Sequence, residues 1–145
     1  MRTKEFISKL DHDRIVQAIQ EAEEKTSGEV RVYIQRGELK GDVLPIAQER
    51  FHRLEMDKTT ARNGVLIFVA PRAHQFAVVG DEGIHQKCGD SLWQSVVEKM
   101  RTHFKNERFS DAIVDAIGDI GTVLGAHFPR KPGDINELSD RVEGG

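Results

Sequence analysis

The sequence has little cysteine, few aromatic residues and no long apolar run: its 145 residues include one Cys, one Trp and one Tyr. A lone cysteine excludes an intramolecular disulfide and a cysteine-rich zinc site, and it fits a reducing compartment. No segment reaches the roughly 18 uninterrupted apolar residues of a membrane helix. The first residues, MRTKEFISKLDHDR, lack the apolar stretch of a signal peptide. We therefore expect a soluble, cytoplasmic protein without a membrane span.

Neither sign of charge dominates the chain. It has 21 Lys and Arg against 24 Asp and Glu, a formal net charge of −3. Because nucleic-acid binding requires clustered cationic residues, we expect no nucleic-acid partner. The small acidic excess points instead toward carboxylate chemistry. Disorder is excluded as well, since 39 of the 145 residues are Leu, Ile, Val or Phe. This share is above the roughly 20% below which a chain is expected to be disordered.

Three segments have the pattern of β-strands. Residues 29–36 alternate Val and Ile with polar residues, which is the period of a strand buried on one face. Residues 64–69 form the continuous apolar run GVLIFV, which predicts a central strand buried on both faces. After a turn at 70–74, residues 75–79 predict the returning strand of an antiparallel hairpin.

Four longer segments have apolar residues at helical spacing, and a short amphipathic turn is expected at 84–88. The predicted helices cover 11–25, 42–54, 91–104 and 110–127. The residues that could cap them are, in order, Asp11 or Asp13, Asp42, Asp90 or Ser91, and Ser110. Gly118, Gly121 and Gly125 interrupt the last helix. Since each glycine costs about 1 kcal/mol relative to alanine, we expect these three to allow close approach of another backbone.

The order of elements predicts the architecture. The order α-β-α-β-β-α-α contains one crossover between parallel strands and one antiparallel hairpin. Such an order describes an α/β domain with a mixed sheet between two layers of helices. The length suits a single domain. We expect this domain to cover 1–129 and a polar C-terminal tail, 130–145, to lie along the surface or fray.

An acidic turn follows the third predicted strand. Gly80 and Gly83 flank Asp81 and Glu82, and they allow a sharp turn that exposes carboxylates at the end of the sheet, where ligands of open α/β sheets bind. Asp90 follows at the start of the next long helix. Three nearby carboxylates could begin the oxygen shell of Ca²⁺ or Mg²⁺. The alternative is that Asp81 and Glu82 are turn residues and Asp90 is a helix cap.

Other groups of reactive residues are incomplete. His85 and Cys88 have the i, i+3 spacing of half a zinc site, but no second close pair exists, which favours a surface histidine and a small buried thiol. No nucleophile elbow and no nucleotide-binding glycine motif is present. Arg62 and Asn63 could contact a metal-bridged phosphate, or they could serve loop solvation and turn geometry. The catalytic residues, if any, stay unknown.

Several short motifs together resemble a known family. They are TSGEVRV at 26–32, RNGVLIFV at 62–69, GDEGI at 80–84 and HFP at 127–129. In this order the chain resembles TPM-domain proteins across nearly the whole predicted domain. The tail segment NELSD at 136–140 resembles the end of a short bacterial subgroup. Members of the family include thylakoid-lumen proteins of photosystem II repair and accessory subunits of nematode acetylcholine receptors.

The resemblance implies a fold and a site. The implied fold is a Rossmann-like α/β/α sandwich, with a mixed central sheet flanked by about four helices. The implied site binds Ca²⁺ or Mg²⁺ in loops at one end of the sheet, and some members are acid phosphatases. We carry the metal ligands over to Asp81 and Asp90, with Glu82 as an additional candidate. This sequence differs from longer members in its Gly-Asp-Glu-Gly turn and in the expected lack of a signal peptide and membrane anchor.

Three functions follow from these observations. The first is a non-catalytic module in which a bound divalent cation orders the acidic loops and a protein partner recognises the result. The second is a metal-dependent phosphatase, in which the cation polarises a phosphoryl oxygen of a small phosphoester. The third is an interaction domain without metal, which would use the glycine-lined last helix or the tail. The missing nucleophile and general base favour the module over the phosphatase.

Overall fold

The computed structural model describes residues 2–89, 91–130 and 142–144. Within these residues it contains six α-helices, four β-strands and two short 3₁₀ turns. In chain order the helices and strands are α1 (Thr3–Ser8), α2 (His12–Lys25), β1 (Glu29–Ile34), α3 (Val43–Arg53), β2 (Gly64–Ala70), β3 (Gln75–Gly80), α4 (Glu82–Cys88), α5 (Ser91–Lys105), α6 (Phe109–His127) and β4 (Val142–Gly144). The 3₁₀ turns cover Met56–Lys58 and Pro71–Ala73.

The four strands form one mixed sheet in the order β3-β2-β1-β4. β1 and β2 are parallel, with Glu29 opposite Gly64, and they are joined by the predicted crossover through α3. β3 returns antiparallel to β2 and places Gly80 opposite Val65, which confirms the predicted hairpin. β4 pairs parallel to β1 on the other side.

Each face of the sheet carries its own hydrophobic core. On one face, Val and Ile side chains of β1 and β2 pack against apolar residues of α2, α5 and α6. On the other face, Tyr33, Leu66 and Phe68 pack against Ala47 and Phe51 of α3. Helices therefore cover both faces of a mixed sheet, and the expected α/β/α sandwich is confirmed.

The predicted half-burial of β1 is wrong, because all six of its residues are buried. Arg31, predicted to face solvent, is 8% exposed. Tyr33 stacks on Phe68 with ring centroids 5.6 Å apart, and the guanidinium of Arg50 lies 4.6 Å from the centre of the Tyr33 ring. The polar-looking face of β1 thus lies under α3, where its longer side chains are buried through their apolar parts.

The four predicted helices match α2, α3, α5 and α6, and α4 contains the expected amphipathic turn. Asp11 caps α2 as predicted, by accepting a hydrogen bond from Arg14 N at 3.2 Å. Asp42 precedes α3 but makes no capping hydrogen bond. The cap predicted at Ser110 is wrong, because α6 begins at Phe109 with Arg108 at its N-cap, two residues earlier. The Ser110 hydroxyl instead accepts a hydrogen bond from Asp11 N at 2.9 Å.

The glycines of α6 lie where this helix crosses α2. A Cβ atom added at Gly121 would lie 2.7 Å from the Cβ of Ala22, and one added at Gly125 would lie 3.1 Å from the carbonyl oxygen of Lys25. Close helix approach is therefore confirmed at these two positions. It is wrong for Gly118, where an added Cβ would meet no atom within 4 Å.

Most of the predicted tail, and the candidate cap Asp90, lie outside the described residues. The described part of the tail is Arg130 and 142–144, and the latter residues form β4, which no sequence pattern had indicated. Among the described residues, no helix has both the length and the apolar character needed to cross a bilayer.

Candidate cation site at the acidic turn

Asp81 begins the acidic turn and is almost completely buried, with 5% of its surface exposed. Its backbone N–H donates to the carbonyl oxygen of Gly64 at 3.0 Å, which continues the β2–β3 ladder by one bond. Its Oδ1 accepts a hydrogen bond from Glu82 N at 2.7 Å, so the side chain caps α4. Asp81 therefore acts as a helix cap, a role that the sequence alternative gave to Asp90, because this carboxylate satisfies a free N–H of the first helical turn.

Arg62 forms a bidentate ion pair with the Asp81 carboxylate. Its Nε donates to Asp81 Oδ2 and its Nη2 donates to Asp81 Oδ1, both at 2.9 Å. The hydrogen bonds and the charge of Asp81 raise the pKa of the Arg62 guanidinium, which desolvation alone would lower. The Arg62 side chain is still 42% exposed. This geometry pairs a planar guanidinium with a carboxylate in the bidentate form that favours Arg over Lys.

Two further carboxylates act on Arg62. Glu82 is 63% exposed and holds Oε2 at 3.8 Å from Arg62 Nη1. The charge of Asp57, in the 3₁₀ turn before β2, also raises the pKa of Arg62. Burial raises the pKa of Asp57 itself, but a hydrogen bond with His52 and the charge of Lys58 help to bring it below the usual value. Sequence reasoning missed Asp57, although its position in the polar stretch 55–63, beside Arg62, was the available signal.

Gly83 allows the loop before β2 to lie directly on α4. Its N–H donates to the carbonyl oxygen of Arg62 at 2.9 Å. An added Cβ would lie 2.4 Å from the carbonyl oxygen of Ala61 and 2.7 Å from that of Arg62. The backbone of Arg62 is left-handed, with φ of 51°. Gly83 is therefore required for close approach, and this contact brings the guanidinium to Asp81.

Asn63, which the sequence offered as a contact for phosphate, is buried and hydrogen-bonded to other residues of the chain. It is 1% exposed, and its Nδ2 donates to Ser27 Oγ at 3.2 Å. Its backbone N–H donates to Thr59 Oγ1, and its carbonyl oxygen accepts from Glu29 N. Asn63 therefore ties together the loops that precede β1 and β2, and its side-chain amide is already committed.

The acidic turn lies at the opposite end of the parallel strands from the one expected. Because β3 is antiparallel, its last residue, Gly80, pairs with Val65 near the beginning of β2. Asp81 consequently lies beside the amino ends of β1 and β2. Open α/β sheets bind their ligands at the carboxyl ends of parallel strands. The general rule for such sheets therefore does not support a ligand at this turn, and any role must follow from the local residues.

The donors of the turn can be tested directly against a divalent cation. Carboxylate oxygens are the ligands that Ca²⁺ and Mg²⁺ prefer. The structure brings Asp81 and Glu82 together, but both oxygens of Asp81 are occupied by Arg62 and by Glu82 N. In the part of the chain that is described, no group of three His, Cys, Asp or Glu is arranged to hold a metal ion, and Asp90 lies outside that part. A divalent cation would fit here only after Arg62 has left Asp81.

His85 and Cys88 both lie on α4. His85 is exposed, while Cys88 is half-buried and packs against the core on that side of the sheet. Burial raises the pKa of the Cys88 thiol, which is the opposite of what an activated nucleophile needs. The expected surface histidine agrees with the structure, whereas the thiol expected to be buried is only half-buried.

These features define an α/β/α sandwich with a mixed sheet and an acidic turn closed by arginine. The TPM domain model matches residues 1–123, and the chain therefore belongs to the TPM domain family. A similar solved structure is the NMR structure of the BA42 protein from the psychrophilic bacterium Bizionia argentinensis. It is 37% identical, with a TM-score of 0.86, and the match covers 94% of this chain and 96% of that chain. A comparison with curated proteins finds no match.

Proposed function

We propose that this TPM domain is a non-catalytic module that binds Ca²⁺ or Mg²⁺ at its acidic turn, in exchange for the guanidinium of Arg62. Asp81, Glu82 and Asp90 are the proposed ligands. The observation that carries the proposal is the contact of one guanidinium with two neighbouring carboxylates, bidentate with Asp81 and at 3.8 Å with Glu82. A single positive charge faces two negative charges, so a divalent cation would balance the pair better than Arg62 does.

The position of Arg62 supports an exchange. Its side chain is partly exposed and belongs to the loop between the 3₁₀ turn at 56–58 and β2, outside any helix or strand. Departure of Arg62 alone would leave the buried Asp81 carboxylate without a counter-charge, which is costly. A cation that arrives as Arg62 leaves removes this cost. The loop 59–63 and the start of α4 would then change position together, giving a partner a surface that differs between the two states.

The surroundings of the turn support a binding module over a phosphatase. The side-chain amide of Asn63, considered from the sequence as a phosphate contact, donates to Ser27 Oγ instead. The raised pKa of Cys88 opposes a role as nucleophile. The lone cysteine also supports placing the module in a reducing compartment such as the cytoplasm.

The proposal is tested by titrating Ca²⁺, and separately Mg²⁺, while recording backbone amide shifts by NMR. We expect saturable shifts at 59–63 and 80–91 at millimolar metal or below. Asp81→Asn should abolish these shifts. Arg62→Gln should strengthen metal binding, because it removes the competing cation. Asp119→Asn, which removes a carboxylate of α6 paired with Lys99 of α5, serves as the matched control and should bind as the parent does.

Two results would overturn the proposal. Absence of shifts in both segments at millimolar metal would exclude the site, and weaker binding in Arg62→Gln would exclude exchange with the guanidinium. The phosphatase alternative is measured with an aryl phosphate under the same metal concentrations. Turnover that a chelator and Asp81→Asn both abolish would replace the non-catalytic module with an enzyme, whereas metal-dependent shifts without turnover would support the module.

A further inference from the structure

A cavity of about 660 Å³ opens at the end of the sheet opposite the acidic turn. Its floor includes Val69 and Ala70, the last residues of β2, and Gln75 and Phe76, the first residues of β3. It therefore lies at the carboxyl end of the parallel strand β2. This is the end at which open α/β sheets bind ligands. The volume falls within the range of small-molecule sites, roughly 300 to 1,000 Å³.

Aromatic rings form the walls of this cavity. Four of the seven phenylalanines in the chain line it, and they come from α1, β3, α5 and the start of α6: Phe6, Phe76, Phe104 and Phe109. The Phe6 and Phe109 rings are 5.1 Å apart between centroids, as are the Phe76 and Phe104 rings, and both pairs are tilted. Phe76, Phe104 and Phe109 are only partly buried. Their exposed ring surface is available to another ring, since aromatic pairs favour tilted or offset contact.

Cationic side chains line the same cavity on the side of α5. Arg101 already contacts Glu98, whereas Lys105 makes no ion pair with any residue in the described part of the chain. The one carboxylate among the lining residues is Glu107, in the turn between α5 and α6. The cavity thus combines aromatic side chains with an ammonium group that forms no ion pair within the described ranges, and this charge is complementary to an anion.

We propose that this cavity, the phenylalanine groove, binds a small aryl carboxylate, with the ring of the ligand against the exposed ring surface of the partly buried phenylalanines and its carboxylate at Lys105. An aromatic body is favoured over an alkyl chain because four of the lining side chains are phenylalanine rings. A single negative charge is favoured because Lys105 makes no ion pair with any described residue, whereas Arg101 contacts Glu98, and because Glu107 would repel a second charge. The proposal does not depend on cation binding at the acidic turn.

The experiment uses naphthalene-2-carboxylate as the probe and naphthalene-2-carboxamide as its uncharged match, both followed by NMR on the full chain. We expect the carboxylate to bind saturably, with a dissociation constant of about 1 mM or below for a ligand of this size. Shifts should be confined to residues lining the groove, and the carboxamide should bind more weakly. Raising the ionic strength should weaken binding of the carboxylate but not of the carboxamide, because salt screens exposed charges.

Two exposed residues of the groove, Lys105 and Glu107, are changed to test the charge without disturbing the core. Lys105→Gln should weaken binding of the carboxylate probe by roughly two- to fivefold, which is the range expected for an exposed ion pair. Lys99→Gln, on the same helix but outside the groove, is the matched control and should have no effect. Glu107→Gln should strengthen binding by a similar factor. A control for folding is the unchanged spectrum of each variant outside the groove.

Three outcomes would overturn the proposal. Equal affinity for the carboxylate and the carboxamide would show an apolar groove without recognition of an anion. Equal weakening by Lys105→Gln and Lys99→Gln would show that only overall charge matters. Groove shifts that depend on protein concentration in the absence of ligand, together with dimer formation in sedimentation, would assign the groove to a second copy of this chain.

Discussion

Gly121 and Gly118 lie one turn apart on α6, but a methyl group added at each would meet different surroundings. At Gly121 the added Cβ would lie 2.7 Å from Ala22 Cβ and 3.0 Å from Ala22 Cα. Unstrained carbon atoms stay about 3.5 to 4.0 Å apart, so α2 and α6 must separate by nearly 1 Å. Neither contact can be relieved by a change of rotamer, because both atoms of Ala22 are fixed to the backbone.

The expected stabilities follow from two opposing effects. Alanine is favoured over glycine in a helix by about 1 kcal/mol, whereas overpacking of a tight contact costs about 1 to 3 kcal/mol. Gly121→Ala should therefore lower the free energy of unfolding by about 1 kcal/mol. Gly118→Ala has no atom within 4 Å of its new Cβ and keeps only the favourable effect, so it should raise the free energy of unfolding by about 0.5 to 1 kcal/mol.

The measurement is urea unfolding followed by circular dichroism, with a thermal scan as a second readout. In a chain of this size, 1 kcal/mol corresponds to a shift in Tm of roughly 3 °C. Gly121→Ala and Gly118→Ala should therefore move Tm in opposite directions. In an Ala22→Gly background, Gly121→Ala should destabilise the protein less than it does in the parent, because the closest clashing atom is absent. Equal stability of the two single variants would refute the close packing of α2 and α6 at Gly121.

Three further predictions concern the acidic turn and the thiol. Gly83→Ala should destabilise the fold and shift the amide of Arg62 in NMR spectra, because the new Cβ would lie 2.4 Å from the Ala61 carbonyl oxygen. The pKa of Asp57 is lowered from 3.8 in the fold, so the ionised carboxylate stabilises the protein above that pH. This stabilisation is lost as the pH falls through the lowered pKa of the folded protein. Asp57→Asn should therefore flatten the acid side of a plot of urea midpoint against pH. The pKa of Cys88 is raised from 9.0 in the fold, so alkylation by iodoacetamide near neutral pH should be slower in the folded protein than in urea. The contribution of the protonated Cys88 thiol to the free energy of unfolding should fall as the pH rises past 9.0.

Local sequence patterns correctly predicted β2 and α2, because the apolar residues that bury these two elements lie within the elements themselves. The continuous apolar run predicted β2, which is buried on both faces over all seven residues. The spacing of Ile15 and Ile19 predicted α2, and both side chains are fully buried. The alternation in β1 led to a wrong result, because the face that carries Tyr33 packs with Ala47 and Phe51 of α3, a face that a half-buried strand would leave to solvent. Nothing in residues 29–36 specifies which helix packs above them.

The candidate site shows the same division between local and distant information. Asp81 and Glu82 could be found from the sequence because both lie in one glycine-flanked turn. The partner of Asp81 could not, since Arg62 lies 19 residues earlier in the chain and reaches the carboxylate only because Gly83 lets the two loops touch. Arg62 was singled out for a possible phosphate, but in the structure it binds a carboxylate of the protein itself. A contact between two loops depends on their backbones, which residue type alone does not determine.

The two ends of the sheet follow from strand direction, and this separates the two proposed sites. The predicted hairpin and crossover, taken together, already require the end of β3 to lie beside the beginning of β2, as the pairing of Gly80 with Val65 shows. The acidic turn must therefore lie at the amino ends of the parallel strands and the phenylalanine groove at the carboxyl end. The length of the strands separates an anionic cluster paired with Arg62 from a groove lined by Lys105, so one small ligand cannot contact both. A cation should therefore shift amides at the turn but not at the groove, an aryl carboxylate should do the reverse, and any ligand that shifted both would require the two ends to be coupled through the sheet.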